Sequence, residues 1–133
     1  MSQRASHLLN CRPTITAAKV LENTTVQEQF QNNTLRPVIK LQNNVLIVSF
    51  QKYIIRTKNT FYKLSLEERM LFIEKALQKD MRYRNLMVGV IIGLLTLEEF
   101  EYYYEHSATL NKRIISMLVK RLQDQIQIFD QPT

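Results

Sequence analysis

The chain has 133 residues, a hydrophobic fraction of 45% and a formal net charge of +6. Two Gly and three Pro are too few for the turns of an all-β domain, so the composition points to long helices with short connections. A single Cys excludes an internal disulfide, and the most apolar run, Leu86 to Leu95, falls short of the roughly 20 residues a membrane span needs.

The charge is uneven. Residues 1–66 hold nine Lys/Arg and two acids, a net +7, whereas residues 67–133 hold nine Lys/Arg and ten acids, a net −1. No acid occurs between Gln29 and Leu66. A one-sided positive field attracts polyanions, while a surface of mixed sign is the ordinary case.

Residues 1–24 are polar and weakly patterned, and read as a flexible arm, either disordered or laid over a neighbour. A short helix over Thr14–Leu21 is one option within it. The start lacks the apolar core of a signal peptide, so a soluble cytoplasmic protein is the expectation. Thr25-Val26-Gln27-Glu28 has the capping-box form and opens a helix. Pro37, whose ring clashes with the carbonyl four residues back, means either that this helix ends near Asn32 and Thr34 caps the next one or that a single helix kinks here, with the kink favoured.

The stretch Thr34–Lys58 reads as a central helix. Val38, Leu41, Val45, Val48 and Ile55 recur at helical spacing and lie on one face of a helix. Ile39, Leu46, Phe50, Tyr53 and Ile54 fill much of a second face. A helix apolar on two sides packs between neighbours or against a second subunit.

Lys58-Asn59-Thr60 closes this helix, and Phe61, Tyr62 and Leu64 should pack down on the core. Ser65-Leu66-Glu67-Glu68 is a second capping box, followed by an amphipathic row of Leu66, Met70, Ile73 and Leu77. Asp80 caps a helix over Met81–Ile92, with Gly93 as a left-handed stop. Thr96-Leu97-Glu98-Glu99 is a third capping box, with Phe100 and Tyr103/Tyr104 on the inner face of the helix it opens. After a break near His106-Ser107, a last helix runs to about Gln127 on Leu110, Ile114, Met117/Leu118, Leu122 and Ile126. The expectation is all-α: one domain over residues 25–128, a bundle of four to six helices around the central one, and a tail over 129–133.

Candidate sites are few. Lys52, Arg56, Lys58 and Lys63 form a basic segment with Tyr53, Tyr62 and Tyr83 nearby, which suits single-stranded nucleic acid if those rings are exposed and packing if they are not. Gly89 and Gly93 form a small-xxx-small pair that permits a close helix contact, within one subunit or between two. Tyr102, Tyr103 and Tyr104 span about 200° of a helix, so at least one ring faces solvent or an interface. Glu98, Glu99, Glu101, Glu105 and His106 are an acidic cluster that either binds a metal or forms a solvated face towards Lys112 and Arg113. Cys11, with His7 nearby, lacks the ordered, electropositive surroundings of a nucleophile. The helix-turn-helix spacing around Gly93 puts four carboxylates on the would-be reading helix, which phosphates repel. No catalytic residue and no cofactor is indicated.

Over FQNNTLRPVIKLQNNVLIVSFQKYI and LSLEERMLFIEKALQKDMRYRNLMVGVIIGLLTLEEFEYY the chain resembles a family of small uncharacterised bacterial proteins, from about Phe30 to Leu122. Some members carry a glyoxalase label. The resemblance brings no motif with an assigned role. A glyoxalase is built from βαβββ units with His and Glu ligands on strands, and this sequence offers no strands and two histidines. Three functions are therefore expected in order: a self-associating helical module, with a homodimer favoured; a polyanion binder using residues 36–63; and a metal-binding protein or enzyme using Glu98–His106.

Overall fold

The computed structural model describes residues 2–14 and 24–130. All regular structure among them is helical: α1 (Gln3–Cys11), α2 (Val26–Phe30), α3 (Arg36–Leu41), α4 (Asn43–Arg56), α5 (Leu66–Lys79), α6 (Met81–Ile92), α7 (Leu97–Glu105) and α8 (Ser107–Asp124). A π-helical turn covers Gln31–Leu35, and 3₁₀ turns cover Thr60–Lys63 and Ile126–Phe129. The chain forms two compact units, one from residues 1–42 and 88–114, the other from 43–87 and 115–133.

In the first unit, α1 is helical where the sequence suggested an arm. Ser2 caps it, its side chain accepting from the N–H of Ala5. Most of the proposed Thr14–Leu21 helix lies outside the described residues. The chain is then helical from Val26 to Leu41, with the π turn between α2 and α3. Pro37 explains that turn. In a regular α-helix its ring would strike the carbonyl four residues earlier. The wider turn relieves the clash, and the N–H of Arg36 donates to Gln31 O, five residues back. Leu35, Val38, Ile39, Ile91, Leu95 and Leu110 are fully or almost fully buried.

Gly93 does not adopt the left-handed conformation expected of it, since no Gly has a positive φ. The N–H groups of Leu94 and Leu95 close the end of α6 on Ile91 O and Ile92 O instead. The carbonyls of the turn that follows, Gly93 to Leu95, are capped from far away in sequence. Arg4 of α1 donates to Leu95 O at 2.9 Å and Gly93 O at 3.2 Å, and Arg12 donates to Leu94 O at 3.3 Å. Cations at the carbonyl end of a helix also meet the negative end of its dipole.

In the second unit, α4 buries Leu46, Ile47, Phe50, Tyr53 and Ile54. Phe50 lies at the centre of an aromatic knot. Phe129, Phe61 and Phe72 meet it edge-on at 4.9, 5.7 and 6.2 Å, the geometry that ring quadrupoles favour. Phe61 and Phe129 thereby hold the two 3₁₀ turns to α4, and the guanidinium of Arg69 stands 5.0 Å over the Phe61 ring. The turn after α4 uses Lys58 and Asn59 at φ 64° and 59°, a left-handed pair that replaces the missing Gly. Ser65 and Asp80 cap α5 and α6: Ser65 in a complete capping box with Glu68, and Asp80 through the N–H of Tyr83 at 3.2 Å. Along α8, Leu118 and Leu122 in this unit, like Leu110 and Ile114 in the first, are fully buried, as their spacing predicts.

Candidate interaction surface

Of the first apolar row expected on the central helix, Val38 is buried, while its continuation on α4 faces outward. Val45, Val48 and Ile55 are 47%, 51% and 47% exposed, and Leu41 of α3 is exposed too. Leu46, Ile47, Phe50, Tyr53 and Ile54 together carry more apolar area than exposed Val45, Val48 and Ile55, so the helix turns that side inward. Positions 45, 48, 52 and 55 step by three, four and three residues, the spacing of a coiled-coil seam. Lys52 stands in the seam, and a charge at that position is the sequence signal that this row faces outward.

Lys52, Arg56, Lys58 and Lys63 are all exposed, and none takes part in an ion pair among the described residues. The neighbouring tyrosines do not join them as a stacking platform. Tyr53 and Tyr83 are buried, with ring centroids 4.2 Å apart. Tyr53 donates to Asp80 Oδ2 at 3.0 Å, and Tyr83 shares a 3.3 Å hydrogen bond with Ser49. Burial, then the Asp80 hydrogen bond, pushes the Tyr53 phenol up to about 12. Burial raises Tyr83 as well. Asp80 is held below the usual carboxylate range by the N–H of Tyr83 and then by the Tyr53 hydroxyl.

The acidic cluster on α7 divides into two. Glu99 points inward, closes the capping box with Thr96, and receives both Arg12 guanidinium nitrogens at 2.8 and 2.6 Å. Thr34 donates to the same carboxylate at 3.4 Å. Burial works to raise the Glu99 pKa, but the Arg12 hydrogen bond, the N–H of Thr96 and the Arg12 charge together bring it below the usual value. Glu98, Glu101 and Glu105 point outward. His106 packs against Tyr102 at 4.6 Å, and Arg113 donates to Gln31 rather than facing the acids. Among the described residues no group of three His, Cys, Asp or Glu side chains is arranged to hold a metal ion.

The three tyrosines take three environments. Tyr103 is buried and donates to Asn111 Oδ1 at 2.6 Å. Tyr102 is half-buried against Phe30. Tyr104 is 72% exposed, and with Leu97 at 69% and the partly exposed Phe100 it makes α7 apolar on the same side as its outward acids. Tyr104 and Phe100 thus leave the inner face that the sequence suggested for them. Gly89 and Gly93 are exposed, and a Cβ at Gly89 would meet nothing within 4 Å. Among the described residues, then, no helix of this chain presses on Gly89. At Gly93 a Cβ would lie 3.2 Å from Gly89 O. Cys11 is exposed on α1, as is His7.

No helix among the described residues is long and apolar enough to cross a membrane. No protein-family model matches this chain, and the searches of curated proteins and of solved structures return no match. The functional reading therefore rests on geometry.

Proposed function

We propose that this protein is a non-enzymatic helical interaction module that self-associates, with a homodimer as its simplest form. The observation that carries the reading is the outer face of α4, where Val45, Val48 and Ile55 each stay about half exposed along one seam. Scattered surface apolar residues need no explanation, but a seam of them on a helix whose other face is core is a docking surface. In this reading α4 is the organising helix of a bundle, buried on the aromatic side by its own chain and on the aliphatic side by a partner. The chain works in the bacterial cytoplasm, in keeping with the sequence resemblance. Sedimentation velocity over a concentration series tests the reading: association supports it, and a monomer at every concentration refutes it.

A second reading is polyanion binding through Lys52, Arg56, Lys58 and Lys63. Their exposure, together with the acid-free stretch around them, favours it. The burial of Tyr53 and Tyr83 argues against base stacking there, so any such binding is electrostatic and collapses with salt. Adding short single- and double-stranded oligonucleotides at low and moderate salt separates the two readings. A complex that weakens steeply with salt speaks for the second.

A further inference from the structure

The geometry points to a specific occupant for the α4 seam: the outward face of α7 from a second copy of this chain. This inference rests on the self-association reading and names its contact.

The two faces are matched in form and opposite in charge. On α4, exposed Val45, Val48 and Ile55 run beside Lys52 and Arg56, and the helix carries no acid. On α7, exposed Leu97, Phe100 and Tyr104 run beside Glu98, Glu101 and Glu105, and the helix carries no Lys or Arg. α7 thus offers an apolar row flanked by an acidic one, and α4 an apolar row with Lys52 within it and Arg56 at its edge. The nine residues of α7 fit within the fourteen of α4.

At about 100° of turn per residue, Lys52 falls between Val45 and Val48 on α4, within reach of the acidic row that flanks Leu97, Phe100 and Tyr104 on α7. An antiparallel pair sets the two helix dipoles in the favourable opposed sense.

A second α4 is the poorer occupant. It would bring Lys52 and Arg56 of both copies to one face of two helices that carry no acid of their own, and like charges at an interface oppose association. The α4–α7 pairing occurs twice in a two-fold dimer, or once per copy in a ring or open chain.

The test uses two full-length variants altered only at exposed positions. One carries Val48→Glu and Lys52→Glu on α4; the other carries Glu101→Lys and Tyr104→Lys on α7. Each alone should lose association by at least tenfold in sedimentation velocity, with unchanged helical circular dichroism. Mixed in equal amounts, they retain one intact α4 and one intact α7 and should form a 1:1 complex. That complex should weaken as salt rises. If the α7 variant associates like wild type while the α4 variant does not, α4 pairs with itself, and the proposal is overturned although self-association stands. If both variants are monomers and the mixture stays monomeric, the α4–α7 contact is likewise refuted. A wild-type protein that never associates removes both readings.

Discussion

Arg12 and Glu99 lie 87 positions apart in sequence, yet the guanidinium of one grips the carboxylate of the other through two hydrogen bonds. Arg12 follows α1, and Glu99 sits in the first turn of α7. The pair fastens the start of the chain to the α6–α7 corner. The side chains are only 9% and 19% exposed, so removing one partner leaves the other charge poorly solvated. Glu99→Gln or Arg12→Ala should each destabilise the fold by about 3 kcal/mol. Urea unfolding of both single variants and the double variant measures this. A double variant no worse than either single one indicates that the two residues act as a pair.

The same pair gives the protein an acid limit. Glu99 and Asp80 both have folded-state pKa values below their ordinary ones. The unfolded chain therefore takes up their protons first as pH falls. Their stabilising contribution is complete above the ordinary carboxylate range and is lost as pH drops through the lowered folded values. Glu99→Gln should flatten the acid limb of a stability-versus-pH curve, and an unchanged limb would remove Glu99 from this role.

Tyr53 gives the opposite limit. Its folded pKa of about 12 lies above the ordinary value near 10. Unfolded, the phenol ionises first, so its contribution is complete below about pH 10 and falls as pH rises towards the folded value. Ultraviolet titration should show buried tyrosines ionising late, and Tyr53→Phe should reduce that late step by one phenol while the raised Tyr83 and Tyr103 still contribute.

The aromatic knot is the main energetic centre of the second unit. Phe50 is fully buried and has four aromatic neighbours. Phe50→Ala should cost about 3–5 kcal/mol through lost transfer energy and the cavity left behind. Gly89 should behave in the opposite way. Its φ is not positive, and a Cβ there meets nothing within 4 Å. Gly89→Ala should therefore stabilise α6 by about 1 kcal/mol, read as a higher melting temperature. Gly93→Ala should gain less, because its Cβ would crowd Gly89 O.

Much of the helical plan was legible because its signals are local. The boxes at Ser65 and Thr96 form both reciprocal hydrogen bonds, and Thr25 caps Glu28 from its hydroxyl. The heptad-like row of α8 is buried as read. What failed was non-local. The helical spacing on α4 fits two faces equally well, and only the rings of Phe61, Phe72 and Phe129, brought in from elsewhere, decide which one turns inward. Gly93 looked like a left-handed stop because nothing near it in sequence announces that Arg4 and Arg12 supply its cap. For the same reason α1 looked like an arm. It buries no residue of its own, and its anchors are two arginines whose partners lie at least 82 positions away. The candidate surface was half legible: Val45, Val48 and Ile55 were read as one apolar face, but spacing alone does not say whether that face meets this chain or a second subunit.

The measurement that bears most directly on the whole account is sedimentation velocity of the wild-type protein beside Val48→Glu across a range of concentrations. The account predicts that the wild type associates as concentration rises, while Val48→Glu, with the same helical content and melting temperature, remains a monomer. A wild type that sediments as a monomer throughout, or a Val48→Glu variant that associates as strongly, would contradict it.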